Sequence, residues 1–172
     1  MTSDLPQSYP PLPAAAAAAG ADERLRILTT YHTIAMVGLS ADPMRPSHFA
    51  AIYLLAEGYD VIPVNPRYVG QEILGQPVYP SLSAIPRPVE IVDVFRKPVD
   101  VPPIAEEAVR IGAKVLWLQL GVVNEEAAQI ARAAGLAVVQ NRCAKIEHAR
   151  FFGGLNLVGM NTGVVTARRR LG

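Results

Sequence analysis

Five short runs dominated by Val, Ile and Leu alternate along the chain with stretches patterned for helix, and this alternation restricts the fold more than any other feature. The strand-type runs are Thr33–Leu39, Asp60–Val64, Val89–Phe95, "AKVLWLQLG" (113–121) and "LAVVQ" (136–140). Runs so uniformly apolar are buried on both faces, as in a parallel sheet covered by helices. The helices between them are punctuated at their ends. Pro46–Glu57 opens on a proline and stops before Gly58, "DVPPIAEEAVRIG" (100–112) ends on Gly112, and "NEEAAQIARAAG" (124–135) runs from a capping Asn124 to Gly135. Parallel crossovers are right-handed, so few topologies survive. The simplest is an α/β, Rossmann-like, doubly wound, mainly parallel sheet of about five strands with helices on both faces.

The chain has 172 residues, 51% of them apolar, which suffices for one well-packed domain with tails. Residues 1–21 are Pro/Ala-rich and read as a disordered arm, without the basic start of a signal peptide. The domain is expected over 22–150, beginning with a docking helix, Asp22–Tyr31, whose Leu25, Leu28 and Tyr31 share a face. Residues 151–172 form an extension, packed on the domain or partly flexible. Over the segment beyond the sheet, residues 141–170, Gly153, Gly154, Gly159 and Gly163 argue against a continuous helix and favour an irregular segment or a short strand pair packed on the domain. A formal net charge of +1 gives no support for a nucleic-acid or membrane-surface role. A single cysteine, Cys143, cannot form an internal disulfide, and no cluster has metal-ligand spacing, as expected of a reduced, cytoplasmic protein without a metal site.

In a doubly wound sheet, ligands lie beyond the carboxyl ends of the strands. Four loops are therefore candidates. In the first, within "IAMVGLSADPMRPSHF", Gly38 permits a tight turn, Ser40 offers a hydroxyl, Arg45 places a cation just ahead of the helix start at Pro46, and Ser47 can donate from its first turn. A helix N-terminus so equipped suits a diphosphate. The spaced glycines of a nicotinamide-dinucleotide turn are missing, since the turn reads Gly38-Leu39-Ser40-Ala41-Asp42-Pro43. The second loop, "PVNPRY", carries Asn65-Pro66-Arg67 where such a site would place a carboxylate. A guanidinium there favours a phosphorylated ribose, hence coenzyme A or NADP before NAD. The third adds Phe95, Arg96 and Lys97 at the mouth of the sheet. In the fourth, alternation puts Trp117 and Gln119 on one face, as an aromatic wall and amide or as core.

Together these loops resemble a known family, the small stand-alone CoA-binding proteins, similar to the CoA-binding domain of the succinyl-CoA synthetase alpha subunit. The segments that carry the resemblance are "VGLSADPMRPSH", "YLLAEGYDVIPVNPRYVGQEILGQPVYPSL", "VEIVDVFRKP", "AKVLWLQLGVVNEEAAQIARAAGLAVVQNRC" and "KIEHAR", in order over roughly residues 30–150. The resemblance implies non-covalent binding of coenzyme A. By position, Gly38, Ser40, Arg45, Pro46 and Ser47 would face its diphosphate, while Asn65, Pro66, Arg67 and Arg96 would border its nucleotide. Assigning the 3′-phosphate to Arg67 follows from the chemistry of the side chain.

Catalysis has little to stand on in the sequence. His32, His48 and His148 lack the Gly-His-Ala context of a phosphohistidine loop, and Ser40 lacks a nucleophile-elbow pattern. Cys143, beside Arg142, is either a thiol of lowered pKa near the cleft or a buried inert residue. Glu147 and His148 are either acid–base groups or a satisfied structural pair. The expected function is binding of coenzyme A or an acyl-CoA without catalysis of its own, as sensor, carrier or partner of an enzyme. An NADP-type enzyme using the same basic loops, with His48 as its proton donor, is the alternative. A structural or interaction protein with a vestigial pocket is a third reading.

Overall fold

A computed structural model describes residues 19–153. The expected N-terminal arm up to residue 18, and the expected extension from residue 154 onward, lie outside the described residues. In chain order the elements are α1 (Ala21–Thr30), β1 (Thr33–Val37), α2 (Pro46–Ala56), β2 (Asp60–Val64), β3 (Glu72–Ile73), β4 (Gln76–Pro77), β5 (Ile91–Val94), α3 (Val101–Arg110), β6 (Val115–Leu118), α4 (Glu125–Ala133), β7 (Ala137–Val139) and α5 (Ala144–Phe152). Five strands form one sheet in the order β2-β1-β5-β6-β7, with every pairing parallel. This is the doubly wound, Rossmann-like α/β fold that the alternation predicts.

Strand residues divide cleanly between two cores. Ile34, Met36, Ile91, Val115 and Trp117 pack toward α1, α2 and α5, while Ala35, Ile62, Val92, Leu116 and Leu118 pack toward α3 and α4. The connection from β1 to β2 runs through α2 and that from β5 to β6 through α3, on opposite faces of the sheet. The crevice of the fold therefore opens between β1 and β5. Local chemistry ends the elements where the sequence places the punctuation. Pro46 occupies the first helical position of α2, and the Asn124 side chain caps α4 by accepting from the Ala127 N–H at 2.8 Å. No helix among the described residues is long and apolar enough to cross a membrane.

Two features differ from the sequence expectation. The segment after the sheet is helical through Phe152, because its glycines begin only at Gly153 and the nine residues before them, "AKIEHARFF", carry none. Polar contacts to α1 anchor this helix. Arg24 Nε donates to Glu147 Oε2 at 2.7 Å, Arg150 approaches the same oxygen at 3.4 Å, and all three side chains are buried. On α1 the buried residues are Arg24, Ile27 and Leu28, with Leu25 and Tyr31 only partly covered. The second feature is the β3–β4 hairpin. Its turn holds Leu74 at φ +52° ahead of Gly75, a conformation that leucine does not advertise in a sequence. The chain leaving the hairpin returns to β2, where Tyr79 N–H donates to the Pro63 carbonyl and Asn65 N–H to the Tyr79 carbonyl.

Candidate functional site

The loop after β1 turns sharply at Gly38. Its φ of +89° lies in the left-handed region, and a Cβ at this position would stand 2.5 Å from the Phe95 carbonyl oxygen and 3.0 Å from Arg96 Cδ. Glycine is thus required both by conformation and by the close approach of the loop after β5. The rest of the loop is held by the helix that follows. Ser40 N–H donates to Ser47 Oγ at 3.1 Å, His48 Nδ1 lies 2.8 Å from the Ser40 carbonyl oxygen, and Ser40 Oγ accepts from Asp42 N–H at 3.1 Å. Ser47 and His48 are buried, so these contacts brace the loop from below.

The start of α2 has no side-chain cap and no acidic residue in its first turn. Pro46 has no N–H, and the His48 and Phe49 N–H groups both donate to the Arg45 carbonyl, so the Ser47 N–H and the positive end of the dipole are what this terminus offers an anion. Arg45 stands beside them, largely in solvent and 3.7 Å from the Asp42 carboxylate. Ser47 lies in this first turn as expected, although its oxygen already accepts from Ser40.

Asn65, at the end of β2, is buried. Its Nδ2 donates to the Leu39 carbonyl at 3.0 Å and its Oδ1 accepts from Arg67 N–H at 3.1 Å. The amide that replaces a dinucleotide site's carboxylate is therefore used to join the first two loops. Pro66 opens a short 3-10 turn, Pro66–Tyr68, that turns Arg67 outward. Its guanidinium lies 6.0 Å from the Tyr68 ring centre and pairs with no carboxylate among the described residues.

Between the loops lies a pocket of about 340 Å³. Gly38, Asn65, Pro66 and Arg96 line it, so four residues singled out from the sequence converge on one cavity. Ser40, Arg45, Pro46, Ser47 and Arg67 all stand outside the lining, the first four on the loop and helix start that follow Gly38. Arg96 approaches Asp100 at 3.7 Å. Phe95 is half-buried against the α1/α2/α5 core, and its carbonyl, not its ring, closes over Gly38. The far wall comes from Ser81, Ile104 and Glu107, which carry no motif that sequence reading could seize. Glu107 Oε1 also accepts from the Ser83 N–H at 2.9 Å, tying α3 to the chain beyond the hairpin.

The remaining candidates have structural roles. Trp117 is wholly buried, with Nε1 donating to the Arg142 carbonyl at 2.7 Å, so it belongs to the core and not to a cleft wall. Gln119 is buried and donates through Nε2 to Asp93 Oδ1 at 2.6 Å. Asp93 was invisible as anything but a strand residue. It is fully buried on the middle strand, its Oδ2 has no partner among the described residues, and burial pushes its carboxyl up to about 7 against the hydrogen bonds from Gln119 and the Val94 backbone.

Cys143 precedes α5, and burial pushes its thiol up. Arg142, expected to lower it, instead directs Nη1 to the Asn141 carbonyl at 3.2 Å. Glu147 and His148 do not form a pair. Glu147 serves Arg24 and Arg150, while His148 Nδ1 lies 2.9 Å from the Tyr53 hydroxyl and burial lowers the imidazole's pKa.

Known proteins share this fold. A family model described as a CoA binding domain matches residues 32–149, from the approach to β1 into α5. The Bacillus subtilis protein YneT is 42% identical over 123 residues, 72% of this chain and 90% of its own. A hypothetical protein from Pyrococcus horikoshii superposes with a TM-score of 0.74 at 45% identity, covering 77% of this chain and 92% of that one. A dinucleotide-forming acetyl-coenzyme A synthetase from Ca. Korarchaeum cryptofilum matches with a TM-score of 0.59 at 25% identity over 68% of this chain, but over only 28% of its own. In that enzyme the same fold is one part of a much larger chain. The β1 loop, the α2 terminus and the whole pocket wall lie in the matched span, which covers most of the described residues: the chain belongs to the family of CoA-binding domains.

Proposed function

We propose that this protein binds coenzyme A non-covalently. The diphosphate lies over the loop Gly38–Arg45 and the N-terminus of α2, and the nucleotide enters the pocket that Gly38, Asn65, Pro66 and Arg96 line. The observation that carries this reading is one of adjacency. The loop that starts at Gly38, in the wall of the cavity, leads to an uncapped helix terminus without acids and flanked by Arg45, at the point where the sheet reverses its winding. A pocket of this size suits a base and sugar. Arg67, which has no carboxylate partner among the described residues, supplies a guanidinium for the ribose 3′-phosphate from the rim.

No nucleophile–base pair adjoins this cleft among the described residues. His48 is held by the Ser40 carbonyl, and the Cys143 thiol stays protonated at neutral pH. This supports a carrier, a sensor or a partner that presents the ligand to an enzyme, and weighs against His48 as the proton donor of an NADP-type enzyme. Isothermal titration with coenzyme A, dephospho-coenzyme A and NADP is the test. Coenzyme A is expected to bind at least about ten times more tightly than the dephospho form, the worth of one charge-assisted contact. Equal affinity for those two removes the Arg67 assignment, tighter binding of NADP favours the enzyme reading, and no binding of coenzyme A overturns the proposal.

A further inference from the structure

Nine large apolar side chains are exposed among the described residues, and five of them, Met44, Val69, Val99, Leu120 and Val123, stand on loops at the carboxyl edge of the sheet. Three of the five lie on the two loops after β5 and β6. Val99 is 76% exposed, Leu120 64% and Val123 51%. Their loops are tied to each other and to the chain after β7. Asn124 Nδ2 donates to the Pro98 carbonyl at 2.9 Å, Gly121 N–H donates to Asn141 Oδ1 at 2.8 Å, and Asn124 N–H donates to Gln140 Oε1 at 2.9 Å. Val122, between the exposed pair, is buried in the α3/α4 core. Leu120 and Val123 are thus held in water by a braced backbone. Apolar side chains grouped in this way at the mouth of a cleft mark a binding surface.

Their position along the sheet selects the occupant. The strands run β2-β1-β5-β6-β7, and in the reading above the ligand's phosphates lie over β1 with its nucleotide toward β2. The opposite end of an elongated ligand then crosses β5 and β6, where the three side chains stand. Val99 lines the pocket, and the Pro98 carbonyl before it is bonded to Asn124, so the surface of Leu120 and Val123 adjoins the cleft.

We propose that Leu120 and Val123 receive the hydrocarbon chain of an acyl thioester, so that the preferred ligand is an acyl-CoA with an aliphatic chain of several carbons and not free coenzyme A. The proposal rests on coenzyme A binding at the cleft and specifies which derivative is held. No bond is made or broken. The chain leaves water, and each methylene adds affinity.

The test is titration of the full chain with coenzyme A and with its acetyl, butanoyl and hexanoyl thioesters. Complete burial of a methylene is worth about fourfold in affinity; on a surface open on one side, about twofold per methylene is expected, hence about tenfold or more from two to six carbons. In the double variant Leu120→Ser/Val123→Ser the series should flatten, with free coenzyme A bound as tightly as by the parent protein. The single variant Leu120→Ser, at the more exposed of the two sites, should halve the slope and repeats the test if the double variant does not fold. A flat or falling series in the parent protein, with coenzyme A still bound, overturns this inference alone and leaves the surface to a protein partner. An unchanged slope in the folded variants also overturns it. Failure of coenzyme A itself to bind overturns the underlying reading with it.

Discussion

At the carboxyl edge of the sheet Arg45 and Arg96 reach carboxylates only at 3.7 Å and remain exposed, whereas between α1 and α5 Arg24 and Glu147 meet at 2.7 Å, nearly out of reach of water. The same residue types serve opposite ends. A solvated pair at long range contributes little to stability, so either arginine can leave its carboxylate for a phosphate at small cost. The buried pair is committed, because each partner would be stranded without the other. What separates the cations proposed for the site from the structural ones is not the presence of a partner but how completely water has been removed around them.

The largest effect that would break this contrast is at Glu147. Glu147→Ala leaves Arg24 and Arg150 buried without their shared carboxylate, and a loss of about 3–5 kcal/mol is expected in chemical denaturation. Coenzyme A affinity of the folded fraction should not change. A variant that melts like the parent protein would show that the α1–α5 charges are as loosely held as those at the mouth.

Asp93 comes next and sharpens the contrast, since it is a buried acid without a cation. Its folded carboxyl titrates at about 7 against an ordinary value of 3.8, so between those limits the folded protein keeps a proton that the unfolded chain has lost. This contribution is fully present below about pH 4 and is lost as pH rises through 7. Asp93→Asn stands in for the protonated acid and removes the dependence. The variant should match the parent protein near pH 4 and exceed it by up to about 4 kcal/mol at pH 8, because each tenfold difference in proton affinity between the folded and unfolded chain is worth about 1.4 kcal/mol. Parallel stability curves over that range would mean that Asp93 ionises freely.

Gly38→Ala tests the site side. The new Cβ meets a carbonyl oxygen of the neighbouring backbone in a left-handed conformation, so the loops after β1 and β5 must part. The expected cost is about 1–3 kcal/mol in stability, with coenzyme A binding weakened more than tenfold as the pocket mouth distorts. Retained affinity in a folded variant would detach the pocket from the ligand.

How much of this could be read from the chain follows from which residues announce their own geometry. Pro46, Asn124 and Gly135 declare helix ends through backbone chemistry that needs no tertiary context, so the layers and the sheet were legible, and Gly38 likewise. Leu74 in a left-handed turn and Asp93 in a wholly buried strand contradict the habits of their residue types, and only the surrounding fold compels them. Asn65 shows an intermediate case. Its position at the end of β2 identified it as a site residue, but its two hydrogen bonds are spent within the protein. Spacing tells where a side chain stands, while its partners depend on chain that arrives from elsewhere, here from Leu39.

Arg67→Ala should have the smallest effect on the fold and the most selective effect on the ligand. The side chain is exposed and has no carboxylate partner among the described residues, so stability should shift by no more than about 0.5 kcal/mol. If its guanidinium meets the 3′-phosphate, coenzyme A loses about tenfold in affinity while dephospho-coenzyme A binds the variant and the parent protein equally. The four titrations close a cycle in which the protein and the ligand each lose one half of the contact, so the coupling isolates it from every other interaction. Equal losses for both ligands would make Arg67 a general attractor of anions. A loss for neither would pass the 3′-phosphate to Arg96, which lines the pocket and can leave Asp100 to meet it. In either case the proposal leaves the ligand's phosphates to the solvated cations of the mouth and not to the buried ones.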